Sequence, residues 1–323
     1  MKRIFFASVI LVITGLIWLQ PLNVGRTEVT IPDGATAREI ADYLAQHHVI
    51  RDKQEFIFWL RISWREKDLK SGTYVLYKYK NPLYLINKLT AGGRSDIAVT
   101  IPEGLTVYEI ADILDNHGIV ERDSFLSICM DKKTIEQYQV SGPSLEGYLF
   151  PDTYSFSHSQ SDSQVVFQLI KNFGRRMKKY GISDADSVLK ILILASLVEK
   201  EARVDEERPV IARVFLNRLE TNRPLESCAT VLFALKSSDY EKYRSKTVLT
   251  KSNLKFKSPY NTYLNTGLPP GPICSPGESS IKAVIDPADV DYLYFVSKGD
   301  GHHHFSKTYQ EHLAAKEKYN AKE

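Results

Sequence analysis

A chain of 323 residues has room for two or three domains, and its 43% apolar and 25% charged residues sit near globular averages, which excludes disordered, collagen-like and polytopic membrane classes. A net charge of +3 without any long Lys/Arg block creates no demand for nucleic acid as a partner. Cys129, Cys228 and Cys274 are widely spaced and odd in number, which fits no disulfide framework or C-x-x-C motif; they read as small buried apolar residues.

At the N-terminus, Lys2-Arg3 precede an uncharged, mostly apolar run from Ile4 to Leu22. Nineteen helical residues at about 1.5 Å each approach the roughly 30 Å hydrocarbon thickness of a bilayer. A cleaved signal peptide would have a shorter apolar stretch and a small-x-small site, and none precedes Pro21. The expectation for residues 1–24 is therefore an uncleaved single-pass transmembrane anchor in the cytoplasmic (inner) membrane. The flanking positive charge puts the N-terminus in the cytoplasm and everything from about residue 25 outside.

Next comes a duplication. Val29-Thr-Ile-Pro-Asp-Gly-Ala-Thr-Ala-Arg-Glu-Ile-Ala-Asp-Tyr-Leu44 returns 70 residues later as Val99-Thr-Ile-Pro-Glu-Gly-Leu-Thr-Val-Tyr-Glu-Ile-Ala-Asp-Ile-Leu114. Each copy predicts a short strand, a Pro-acid-Gly turn and an amphipathic helix. Thr36 or Thr106 is the N-cap, with Glu39 or Glu109 three residues on completing a capping box. Gly72-Thr-Tyr-Val-Leu-Tyr77 reads as a further strand and Pro82 to Leu89 as a short helix, so residues 25–142 are expected to form small α+β units. This pattern resembles LysM-like modules, which bind the N-acetylglucosamine backbone of peptidoglycan; the alternative is a spacer that holds the next domain off the membrane.

From about residue 143 the pattern lengthens into helices at Ser163–Tyr180, Asp184–Ala202 and Glu206–Leu219, followed by a Gly- and Pro-rich stretch and an apolar run that reads as a strand, Tyr292-Leu-Tyr-Phe-Val296. Residues 143–323 are thus expected to form a mainly helical catalytic domain with a small β part, in an α+β chain.

The helix over 184–202 carries Glu199 and Glu201 at the end of an almost wholly apolar run. Residues two apart on a helix point about 200° apart, so the two carboxylates cannot act as a pair. Counting back from Glu201 by three, four and seven meets Val198, Leu197 and Leu194, the face expected to be buried, where desolvation raises a carboxyl pKa toward that of a working acid. The face behind Glu199 holds Ala195, Ser196 and Leu192, so phase favours Glu201 without excluding Glu199.

Several linked motifs resemble those of the endolytic murein transglycosylase, or YceG-like, family. They are Leu145-Glu-Gly-Tyr-Leu-Phe-Pro-Asp-Thr-Tyr154, Ala195-Ser-Leu-Val-Glu-Lys-Glu-Ala202, Val214-Phe-Leu-Asn-Arg-Leu219, Tyr260-Asn-Thr-Tyr263 with Gly267-Leu-Pro-Pro-Gly-Pro-Ile273, and Tyr292-Leu-Tyr-Phe-Val296. Order and membrane helix agree too, so the resemblance covers essentially the whole chain. It implies that Glu201, the second glutamate of the Glu-x-Glu pair, is the catalytic acid/base of a lytic transglycosylase. Such an enzyme cuts peptidoglycan strands between N-acetylmuramic acid and N-acetylglucosamine to leave 1,6-anhydromuramoyl ends, with no cofactor. It also implies termination of nascent strands beside penicillin-binding synthases and elongation or division proteins.

Four other motif residues are candidates for the substrate cleft. Glu146 is either a second polar group there or a helix cap, Asn217 either orients Glu201 or binds sugar, and Asn261 and Tyr263 either bind acetamido groups or stack on rings. The chain departs from the family where Leu-Gln-Ser/Thr-Asp-Pro-Thr-Val is replaced by Leu225-Glu-Ser-Cys-Ala-Thr-Val231, which would put the extra charge of Glu226 near the cleft. His302-His-His304 cannot converge on one ion and has no second cluster, so no metal is expected. Ser196 lacks a G-x-S-x-G elbow and is no nucleophile. Two other functions stay open: a hydrolytic muramidase using the same acid, and a non-catalytic peptidoglycan-binding scaffold.

Overall fold

The computed structural model describes residues 26–78, 81–93, 97–157 and 160–319. The expected anchor at 1–24 lies outside the described residues; among those described, no helix is long and apolar enough to cross a membrane. Helices and short two-stranded sheets make this an α+β chain. It divides into two compact units, one running to Ala98 and taking in Ser155–Gln160, the other holding Val99–Tyr154 and the chain from Ser161 onward.

In the first unit, β1 (Arg26–Ile31) pairs antiparallel with β2 (Gly72–Tyr77), with Ile31 opposite Gly72 and Val29 opposite Tyr74. Between them lie α1 (Ala37–Gln46) and α2 (Lys53–Ile62), and α3 (Pro82–Ala91) follows β2. The Thr36/Glu39 capping box starts α1 as expected. The α2 helix had no expectation from the sequence; Asp52 caps it by accepting the Gln54 N–H. Val29, Ile31, Ile40, Leu44, Phe56, Leu60, Leu76, Leu85 and Leu89 form a core that β1, β2 and the three helices share.

The second unit opens with the second copy of the repeat. The strand β3 (Ile97–Ile101) pairs with β4 (Asp152–Phe156), and α4 (Val107–Asn116) starts on the Thr106/Glu109 box. The unit division falls at Ala98/Val99, between the two copies of the repeat. The reason is bonding: Gly104 N–H donates to Ser275 O and Ser275 N–H to Leu105 O, both at 2.8 Å. Lys236 pairs with Glu109 at 3.2 Å, and the Tyr240 hydroxyl donates to Asp112 at 2.7 Å.

The rest of this unit comprises α5 (Arg122–Met130), α6 (Lys132–Gln137), α7 (Asp162–Met177), α8 (Ala185–Glu201), α9 (Arg208–Glu220), α10 (Cys228–Ser238), α11 (Tyr240–Tyr243) and α12 (Glu278–Ile285). An antiparallel hairpin of β5 (Tyr294–Ser297) and β6 (His303–Ser306) leads into α13 (Tyr309–Lys318). Every residue of α8 from Leu192 to Val198 is buried, so this helix is the axis of the core, as its all-round apolar sequence requires. Ser196 is fully buried there; its hydroxyl donates to Ile193 O and accepts the Ile273 N–H, a structural role.

Candidate active site

The α8 helix ends at Glu201 because Ala202 turns to extended backbone and the next helix, α9, restarts at Arg208-Pro209. This termination brings Glu199 and Glu201 out of the same last turn on different faces. The Oε2 atom of Glu199 accepts from Ser280 Oγ at 2.7 Å and Gly277 N at 3.0 Å, and it sits 3.3 Å from Arg208 Nη1. Both members of that ion pair are about nine-tenths buried. Arg208 also donates to Asp205 at 2.8 Å and to Ser280. Glu103 packs so close to Gly277 that a Cβ there would lie 2.0 Å from its carboxylate. Burial, with the charge of Glu199 adding to it, raises the Glu103 carboxyl above its ordinary range. Glu199 is therefore a buried structural anion.

Glu201 has different company. Its Oε1 accepts one hydrogen bond, from the Ser227 hydroxyl at 2.7 Å, and among the described residues no cation forms an ion pair with it. Burial raises its carboxyl above the ordinary range, while the Ser227 hydrogen bond and the charges of His303 and Arg203 pull it partly back. Ser227 occupies the N-cap position of α10, yet its side chain does not cap that helix; the hydroxyl is committed to Glu201. Its backbone is fixed by the Ser227 N–H donating to Thr262 Oγ1 at 3.1 Å.

Glu201 opens into a cleft of about 310 Å³ lined by the 225–228 loop, Tyr263, Arg218, the β5 strand and α13. Arg218 ties two walls together. It donates to Leu225 O, Leu293 O and the Glu226 carboxylate at 2.8, 3.0 and 2.7 Å, and lies over the Tyr294 ring at 5.3 Å. Tyr294 stacks on His312 and leans on Tyr309, giving the cleft an aromatic wall. Across it, Tyr263 contacts Cys228 at 3.1 Å, and burial raises its phenol.

The expected site residues divide into two groups. Glu226 and Tyr263 line the cleft with Glu201. Glu226 holds a positive φ of 53°, which aims its carboxylate at Arg218. The other three candidates turn away from the cleft to hold backbone. Glu146 is 2% exposed and accepts the Val107 N–H with both oxygens, capping α4, and burial pushes it up to about 8. Asn217 donates to Val290 O and Tyr292 O, fixing the approach to β5 and not Glu201. Asn261 is fully buried; its amide donates to Leu254 O and Phe256 O, and its oxygen accepts the Tyr263 N–H. Asn261 thereby positions Tyr263 without reaching the cleft itself.

Of the cysteines, Cys129 and Cys274 are buried as expected, but Cys228 is exposed at the cleft because it opens α10 beside Ser227. Among the described residues no group of three His, Cys, Asp or Glu side chains is arranged to hold a metal ion. His303 and His302 both turn to Glu207, at 2.7 and 3.4 Å. The sequence reading missed Ser227, Arg218 and the α13 wall. For Ser227 the available signal was a serine kept within a loop that otherwise departs from the family pattern.

The YceG-like family model matches residues 29–318 of this chain. The chain belongs to the YceG-like family. A Bacillus subtilis (strain 168) protein named endolytic murein transglycosylase is 33% identical over 315 residues, covering 90% of this chain and 84% of the relative. A Streptococcus pneumoniae (strain D39) protein of the same name is 31% identical over 298 residues; the match covers 83% of this chain but 54% of that longer relative. Among solved structures, a crystal structure of a Listeria monocytogenes protein described as yceG-like superposes with a TM-score of 0.58 at 32% identity, covering 90% of this chain and 98% of the other. This chain and that solved relative therefore share a fold.

Proposed function

We infer that this protein is an endolytic murein transglycosylase, a lyase that cleaves peptidoglycan glycan strands, with Glu201 as its acid/base. One observation carries the assignment of Glu201: a carboxyl with a raised pKa, with no ion-pair partner among the described residues, faces an aromatic-walled cleft. In its protonated form, Glu201 gives its proton to the oxygen joining muramoyl C1 to the N-acetylglucosamine O4, and the C1–O bond breaks. The resulting carboxylate then takes the proton from the muramoyl 6-hydroxyl as that oxygen bonds to C1. The products are a free 4-hydroxyl and a 1,6-anhydromuramoyl end, and Glu201 is protonated again for the next turnover. The nucleophile is already part of the substrate and benefits from high effective molarity. Neither water nor a cofactor enters the reaction.

A hydrolytic muramidase is favoured by one observation, the second carboxylate of Glu226 in the same cleft, where it could activate water. Its ion pair with Arg218 counts against that role. The test is to incubate wild type and Glu201→Gln with sacculi and with nascent uncrosslinked glycan, then mass the released fragments. Internal 1,6-anhydro ends from wild type alone support the lyase, reducing ends the muramidase, and no cleavage by either the scaffold reading.

We read residues 1–24 as an inner-membrane anchor with a cytoplasmic N-terminus, which would hold the extracytoplasmic part near nascent strands and their penicillin-binding synthases or elongation and division proteins. Support comes from the charge and length of the N-terminal run. In the duplicated region, 25–142, the strand-helix-helix-strand order of β1, α1, α2 and β2 supports a LysM-like, glycan-binding first copy. The second copy is built onto the catalytic part, 143–323.

A further inference from the structure

The first unit leaves large apolar side chains in water along one face. On α2, Phe56 and Leu60 are fully buried, while Phe58 and Ile62, about 200° around the helix, are 57% and 54% exposed and share a face as i, i+4 neighbours. Trp64, just past the helix, is 92% exposed and holds a φ of +57°, a left-handed conformation that bulky residues avoid. Exposing the largest apolar side chain on a strained backbone costs stability twice, which points to a ligand for this face. Arg61 lies beside Phe58 on the same helix, exposed and without a carboxylate partner among the described residues, and Arg65 follows Trp64.

We propose that the Phe58/Ile62/Trp64 face docks on the interfacial region of an anionic phospholipid bilayer, with Trp64 at headgroup level and Arg61 against the phosphates. This rests on the anchor reading above. Only residues 23–25 separate Leu22, the end of the apolar run, from β1, a span of roughly 14 Å at full extension. A unit of this size has a radius of gyration of about 11 Å, so a tether that short holds some face of it against the headgroups. Aromatic rings flanked by arginine suit that zone, and the aliphatic Ile62 suits it better than it suits a sugar platform.

The chain has three tryptophans, Trp18, Trp59 and Trp64, so each can be isolated. The full-length chain carrying Trp18→Phe and Trp59→Phe is reconstituted into vesicles of phosphatidylglycerol and phosphatidylcholine, with and without brominated acyl chains. The expected result is blue-shifted Trp64 emission that bromination cuts by about half, and recovery of that emission when Phe58→Ser and Ile62→Ser are added. A companion chain retaining only Trp18 reports the anchor. Quenching of Trp18 with Trp64 untouched overturns the docking proposal and keeps the anchor; quenching of neither overturns both. Quenching of Trp64 alone keeps the interface and removes the anchor. A Trp64 signal that ignores bromine but shifts with soluble glycan fragments makes the face a sugar platform and overturns the proposal.

Discussion

The two faces at the end of α8 put the same functional group to opposite uses. On one, Glu199 accepts two hydrogen bonds at a single oxygen and pairs with a buried arginine; on the other, Glu201 receives one hydroxyl and faces a cleft. Two residues of sequence separation, and nothing in residue type, distinguish them. A buried carboxylate with enough donors is fixed as an anion and is inert, whereas a desolvated one with too few holds its proton and can give it away.

The sharpest way to break this comparison is Glu201→Gln. Activity, read as release of anhydro ends, is expected to fall about a thousandfold, within the range a positioned acid supplies. Stability is expected to move the other way. The folded-state pKa of Glu201 lies above its unfolded value, so the carboxylate costs stability as pH rises from the unfolded pKa through the folded one, and a neutral amide has no such cost. A calorimetric scan at pH 8 should give the variant a melting temperature at or above that of wild type. A clear drop would mean that Glu201 is a second structural anion.

Glu199→Gln should reverse the pattern, losing stability and keeping activity. Removing one charge from a buried, hydrogen-bonded pair leaves Arg208 poorly compensated, an expected loss of about 3 kcal/mol, or roughly 6 to 12 °C in melting temperature for a unit of this size. Below its transition the variant should still release anhydro ends. If it were stable but inactive, Glu199 and Glu201 would have to exchange roles.

Local rules carried a good part of this structure into view. The two capping boxes, the apolar period of α8 and the strand-turn-helix repeat depend on neighbours within a few residues, and each appears where the pattern puts it. Polar residues of the motifs were harder to read, since Glu146, Asn217 and Asn261 all face backbone groups and not a ligand. A sequence does not distinguish a side chain aimed at substrate from one that satisfies a buried N–H or C=O, because both need the same atoms. Ser227 was hidden for the converse reason: serine before a helix reads as an ordinary N-cap, and only the fold brings Glu201, 26 residues earlier, within 2.7 Å of it. The same limit applies to the repeat, whose second copy joined the catalytic unit through contacts with residues such as Ser275 and Lys236 far along the chain.

Glu146 is an intermediate case that sharpens the comparison: buried as deeply as a structural anion, but served mainly by one bifurcated N–H, it is pushed up to about 8. The folded protein therefore keeps this proton where the unfolded chain, near the ordinary value of about 4.3, has lost it. Stability from this group is present at low pH and declines as pH rises between those values, by at most about 1.4 kcal/mol per pH unit. Urea midpoints of wild type should fall between pH 5 and 7.5. In Glu146→Gln, whose amide oxygen can still accept the Val107 N–H, that slope should flatten. An unchanged slope would assign it to another carboxyl, with Glu103 the next candidate.

The smallest effect expected concerns the hydrogen bond from Ser227 to Glu201. Ser227 donates to the carboxylate and so favours its charged form, pulling its pKa down against burial. In Ser227→Ala that pull is gone, the acid holds its proton to higher pH, and the alkaline limb of the rate profile should move upward. Ser227→Thr keeps a hydroxyl at the same Cβ and should return the limb toward its wild-type position. A merely structural serine would lower the rate at every pH and leave the limb where it was. The direction of this shift thus separates a residue that tunes the acid from one that only shapes the loop beside it.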